Sequence, residues 1–227
     1  MNVGYTATVL WVLKKDLQTE LRSKQTLAMM GLFSVVMTLV FAFGFASDPQ
    51  TNAKVFPGVL WANVLFVGTL GMGRTFAREQ LDGAFTALIL SPAERSAILL
   101  AKMITNLIIV LGVLLIVIPL LALMLQVDLT EHIGLLAVQI VLGAFGFAVV
   151  GTPLAVMATN ARFAEVLLPM VVFPLVSPVL IAGVAGTGAL LGTTIESDPY
   201  PWLKLNLAFD TLYAVGGLYL FERMVIE

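Results

Sequence analysis

The chain has 227 residues, of which 59% are hydrophobic and 11% charged, with a mean hydropathy of +1.01. A soluble domain carries roughly 25% charged residues, so this composition excludes a soluble protein and leaves an integral membrane protein without a separate soluble domain. Cysteine is absent, which excludes disulfides, a thiol nucleophile and a cysteine metal site, and the net charge of −2 says less than the placement of the charges.

The first residues lack the order of basic start, apolar run and small-residue cleavage site that marks a secretory signal. Leu10, Leu13, Leu17 and Leu21 recur at helical spacing beside Trp11, while Lys14, Lys15, Gln18 and Arg22 occupy other faces. That pattern predicts an amphipathic helix in the membrane interface over residues 1–24. Two roles stay open for it: an anchor before the first span, or a helix that also touches a partner.

A helix needs about 20 apolar residues to cross a bilayer. Spans are expected near 26–46, 55–73, 103–127 and 133–161. A fifth region, 166–195, is interrupted by Pro169, Pro174, Pro178 and several glycines. It is expected to face other spans or a cavity, and to end in a short broken helix over 183–192 that does not recross. A sixth span, 205–221, contains Asp210.

Lys14, Lys15, Arg22, Lys24, Arg74, Arg78, Arg95, Lys102, Arg162 and Arg223 fall on the side of both termini, and only Lys54 and Lys204 fall opposite. By the positive-inside rule the termini are cytoplasmic. Asp48, Asp128, Glu131, Glu196 and Asp198 then face outward.

The longest cytoplasmic connection between spans is the charged stretch 74–102. Arg78, Glu79 and Asp82 precede Phe85, Leu88 and Ile89, whose i, i+3, i+4 spacing suits a short amphipathic helix at the membrane surface. In Ser91-Pro92-Ala93-Glu94, Ser is a favoured N-cap, Pro a favoured first residue, and Glu three residues after Ser completes a capping box. One helix is expected to end near Leu90 and another to begin at Pro92. The resulting elbow is either an interfacial hairpin or a docking element that carries force from a soluble motor into the spans.

Catalysis and ion pumping at membrane depth need ionisable groups, and Asp210 is the only charge well inside an expected span. No HExxH motif and no GxxxxGK phosphate loop is present. His132 is the only histidine, which reads as a solvated interfacial residue rather than a metal ligand. Gly68, Gly71, Gly73, Gly143, Gly146 and Gly151 read as sites of close helix packing.

The stretch FAREQLDGAFTALILSP, the six-span layout and the length together resemble the haem exporter protein B family of the cytochrome c maturation system. That family's pattern between its second and third spans is met by Phe76, Ala77, Glu79, Gly83, Phe85, Leu88, Leu90, Ser91 and Pro92. LKKDLQTELRSKQ before the first span and LLPMVVFPLVSPVLI in the fifth region are also similar to it.

The resemblance implies an all-α polytopic membrane protein with six transmembrane helices, an N-terminal amphipathic elbow helix and a cytoplasmic coupling helix, in an ABC-2-like exporter fold. It implies one permease domain over 1–227, with the elbow at 1–24 and the coupling segment at 74–95. ATPase coupling would rest on Arg78, Glu79, Asp82, Gly83, Phe85, Leu88, Ser91 and Pro92. Implied partners are a separate ABC ATPase that holds the ATP, a haem-handling membrane protein, a small membrane subunit, a periplasmic haem chaperone and a second permease copy, in the bacterial inner membrane and without nucleic acid. The resemblance further implies a non-catalytic chain that binds no cofactor firmly, with haem as a candidate transported substrate. Three functions are set against one another: a permease driven by a partner ATPase, with haem or another substrate; a scaffold that turns hydrolysis into release of the loaded chaperone without conducting haem; and an intramembrane enzyme, which the lack of catalytic constellations disfavours.

Overall fold

A computed structural model describes residues 4–45, 48–81, 93–158, 164–194 and 198–224. These form helices α1 (Tyr5–Ser23), α2 (Gln25–Phe45), α3 (Pro49–Leu81), α4 (Arg95–Leu125), α5 (Ile133–Ala158), α6 (Ala164–Leu190) and α7 (Tyr200–Met224), with one 3₁₀ turn at Thr130–His132. No strand occurs among the described residues. Within α2 to α6, five segments are long and apolar enough to cross a membrane, so the chain is a multi-pass membrane protein. α7 has 25 residues but carries Lys204, Asn206 and Asp210, and it is not among the five.

Helix starts at one end of the bundle are set by aspartates. Asp48 Oδ1 accepts from the Gln50 and Thr51 amides at 3.0 and 3.1 Å, and its Oδ2 accepts from the Thr51 hydroxyl at 2.7 Å. Pro49 then opens α3, where its missing N–H costs nothing. The Thr51 hydroxyl, and next its amide, hold the Asp48 carboxyl below the usual aspartate range. Asp128 is lowered in the same way by the Thr130 amide and hydroxyl. Asp198 accepts from the Tyr200 amide at 3.0 Å before α7.

Large side chains seated on glycines hold the bundle together. The Trp61 ring of α3 lies where a Cβ on Gly143 of α5 or Gly183 of α6 would stand, and its Nε1 donates to Thr187 Oγ1 at 2.9 Å. Phe147 occupies the seat of Gly68, and Met72 that of Gly151. Trp61, Phe56, Leu60 and Val64 belong to one core with Val113, Leu121 and Leu136. Met72, Leu99, Met103 and Phe147 join Val172, Val176 and Val179 in a second. Gly73 meets nothing within 4 Å, so unlike its neighbours it is not a packing glycine.

The fifth region departs from expectation. α6 is continuous from Ala164 to Leu190, through all three prolines and through Gly183, Gly186 and Gly188. No broken helix separates residues 183–190. A proline at 178 leaves the carbonyl four residues earlier without its helical donor. Ser177 Oγ supplies that donor to the Pro174 carbonyl at 2.7 Å, and the Tyr213 hydroxyl of α7 donates to the adjoining Leu175 carbonyl at 2.8 Å. The Ser177 hydroxyl thus satisfies a carbonyl that lipid would leave bare, and Tyr213 adds a donor at its neighbour. Val172, Val176, Val179 and Ala182 are buried, whereas Met170, Val171, Pro174 and Ile181 are exposed. The helix therefore has an outward face as well as an inward one.

Candidate functional site

The charged stretch begins as an extension of α3. The expected span stops at Gly73, yet the helix runs unbroken to Leu81 and places Arg78 and Glu79 on its last turns. At 33 residues it is about 50 Å long, against roughly 30 Å for a hydrocarbon core. Asp82, Gly83, Phe85, Leu88, Ser91 and Pro92 lie outside the described residues, as do the side chains of Arg78 and Glu79.

The next helix starts later than expected. Glu94 occupies the N-cap of α4 with an extended backbone and no side-chain cap bond, and its carbonyl accepts from the Ala97 and Ile98 amides at 3.1 and 3.3 Å. A start at Pro92 with Glu94 closing a capping box is thereby corrected. Glu94 is the boundary residue itself, so its side chain is one turn too early for that role.

Two turns into α4, Lys102 is 2% exposed. Its Nζ donates to Asp16 Oδ2 of α1 at 3.2 Å, and Asp16 Oδ1 pairs with the half-exposed Lys15 at 2.8 Å. Lys102 is thus a helix-to-helix tie and not a loop charge. Burying two charges is costly unless they pair with good geometry, and removing one partner strands the other.

The packing of α1 shows which side of the helix meets the protein. Its buried stripe is Thr8, Val12, Asp16 and Glu20, set at i, i+4, i+8 and i+12. Leu10, Trp11 and Leu21 point outward, Trp11 being 72% exposed. These three face away from the protein, where lipid lies, while Leu13 and Leu17 are half-buried and the stripe with Asp16 meets α4. α1 ends at Lys24, a single left-handed residue (φ 53°) that joins it directly to α2. α1 is thus held by α4 on one side and by a one-residue corner on the other.

Polar side chains are buried deep in the bundle. Asn106 donates to Thr152 Oγ1 at 3.0 Å, and Gln139 to the Ala182 carbonyl at 3.2 Å. Asp210 and Asn206 are one turn apart on α7 and almost wholly enclosed, with no hydrogen-bond partner for either side chain among the described residues. Asp210 Oδ1 fills the seat of Gly146 on α5. At the opposite end from α1, His132 is exposed beside Asp128, Glu131 and Tyr200 around a cavity of about 650 Å³. No cluster of metal-ligating side chains occurs among the described residues.

A family model described as "CcmB protein" matches residues 7–217. A protein named "Heme exporter protein B" from Rhodobacter capsulatus is 28% identical over 173 residues, covering 76% of this chain and 78% of its own. Proteins of the same name from Haemophilus influenzae and Pseudomonas aeruginosa are 27% and 26% identical, over 75% and 76% of this chain and 76% and 77% of their own. With all but a few terminal residues matched, the chain belongs to the CcmB protein family.

Proposed function

We propose that this chain is the non-catalytic permease subunit of an ABC-type complex that delivers haem across the bacterial inner membrane for c-type cytochrome biogenesis. The family match over residues 7–217 is the observation that carries this reading, together with the name shared by the relatives. In it, α2 to α6 and the more polar α7 make six spans, both termini are cytoplasmic, and α1 lies in the cytoplasmic interface. A separate ATPase docks on the 74–95 stretch, with Arg78, Glu79 and Asp82 at the contact and Phe85 and Leu88 anchoring it to the membrane domain. Two permease copies, a haem-handling membrane protein, a small membrane subunit and a periplasmic chaperone complete the assembly.

The mechanism follows from stiffness. A motor's displacement reaches the spans only through an element that does not absorb it. The α3 extension is continuous with a span, and α4 is tied to α1 through Lys102 and Asp16. Movement applied between these two helices turns them as units rather than bending a loop.

A second reading keeps the ATPase but removes conduction: hydrolysis releases the haem-loaded chaperone. The filled centre of the bundle favours it, since Trp61 and Phe147 occupy the seams between α3, α5 and α6. Neither reading makes the chain an enzyme.

The test is complementation. A strain lacking this chain should lose holo-cytochrome c and regain it on re-expression. Haem on the chaperone should fall in its absence if the chain supports loading, and accumulate in a trapped complex if it supports release. Normal holo-cytochrome without the chain, with another transported compound lost, would replace haem as the substrate.

A further inference from the structure

Between α1, α2 and α4 lies a cavity of about 470 Å³, within the roughly 300–1,000 Å³ range of small-molecule sites. α2 and α4 both run away from the α1 end, and they line the cavity from Leu27 to Val35 and from Ile108 to Val117. Nine or ten residues along a helix span about 13–15 Å, so the cavity is a slot parallel to the spans, with Leu17, Glu20 and Leu21 of α1 at one end. Its walls are aliphatic apart from one group. Glu20 of α1 lines it while only 6% exposed, and Glu20 Oε1 has no hydrogen-bond partner among the described residues.

Two glycines, Gly31 and Gly112, line the slot, and neither is a packing seat. A Cβ on Gly31 or on Gly112 meets no heavy atom within 4 Å. Gly68, Gly143 and Gly183, by contrast, are filled by aromatic rings. Gly31 and Gly112 therefore do not bring helices together; they leave space beside them.

We propose that this slot is a phospholipid site whose occupant carries a primary ammonium head group, as phosphatidylethanolamine does. An acyl chain fits a narrow aliphatic slot that runs along two spans from the interface inward. A buried carboxyl oxygen without a donor is costly, and an ammonium N–H supplies the missing hydrogen bond in its strong, charge-assisted form. The exposed Arg22 and Lys24 follow Glu20 within four residues, which suits the phosphate of the same head group. The bilayer supplies this molecule at every moment. The bound lipid then acts as a filler that seats α1 against α2 and α4. The inference rests on membrane insertion alone and stands or falls apart from the haem reading.

The test uses the full chain purified in mild detergent, with bound phospholipid quantified by mass spectrometry. Phosphatidylethanolamine should be retained at about one per chain and raise the melting temperature of delipidated protein more than phosphatidylcholine, whose head has no N–H. Glu20→Gln should reduce that preference by about tenfold, the order expected for one charge-assisted hydrogen bond. Gly112→Leu, entering empty space, should abolish retention while the chain stays folded, which keeps the proposal testable if Glu20→Gln fails to fold. Equal retention of all head groups by the wild type, or unchanged lipid in Gly112→Leu, overturns the proposal. So does a slot free of lipid in the assembled complex, with Gly112→Leu releasing a protein subunit instead.

Discussion

Lys102 of α4 donates to Asp16 of α1 at 3.2 Å across 86 residues of sequence, with both side chains buried. This contact fixes the first helix to the helix that follows the charged stretch. A surface pair of this kind contributes about 0–1 kcal/mol; a buried one is governed by what happens when half of it is lost.

Asp16→Ala is therefore expected to destabilise the folded chain by about 3–5 kcal/mol, because it takes the carboxylate away from the buried Lys102 ammonium. The double replacement of Asp16 by Leu and Lys102 by Met should recover most of that loss, since an apolar pair of similar volume has no charge to desolvate. Denaturant unfolding in detergent measures both. An Asp16→Ala chain as stable as the wild type would mean that the rest of the α1 packing holds the helix without this pair.

The Trp61 seat gives a second expectation. Gly143→Leu places a side chain where the indole lies, and overpacking of this kind costs about 1–3 kcal/mol or more. Trp61→Ala leaves a large cavity and an orphaned Thr187 hydroxyl, at about 3–5 kcal/mol. Combined, the two should cost less than their sum, because each removes the other's conflict. Strict additivity would show that Trp61 and Gly143 do not share the seam.

Much of the fold was legible in the sequence because length and apolarity alone define spans in a bilayer. What was not legible depended on partners distant in sequence. The leucine spacing in α1 is real, but hydrophobicity does not say whether lipid or protein receives it; the i, i+4 stripe of Thr8, Val12, Asp16 and Glu20 was the missed signal for the protein side. Lys102 read as a loop charge because its acid lies 86 residues away. The prolines of α6 suggested a break, since the repair by Ser177 and by Tyr213 of α7 is local chemistry set by tertiary placement. The coupling residues Asp82 to Pro92 rest on the sequence pattern, and only the helical backbone at Arg78 and Glu79 adds to it.

Orientation is open to a direct check, because the chain has no cysteine. Single cysteines replacing Lys14 or Glu94 should resist an impermeant thiol reagent in intact cells, and one replacing Asp48 or Asp198 should react. Labelling of Lys14 and Glu94 positions from outside would invert the topology and move the charged stretch away from any cytoplasmic ATPase.

The central claim is that the stretch leaving α3 holds a motor subunit. Its most direct test is co-purification of the partner ATPase with chains carrying Glu79→Ala or Gly83→Leu, read alongside the hydrolysis rate and holo-cytochrome yield. In the proposed contact Glu79 would offer the partner a charge-assisted acceptor, worth about 1.5–3 kcal/mol when made in a desolvated contact, so its loss should weaken co-purification by about tenfold or more. Both variants should still insert in the membrane, with hydrolysis uncoupled from cytochrome yield. Wild-type assembly, coupling and yield in both variants would contradict the docking role and leave residues 74–95 as an interfacial hairpin.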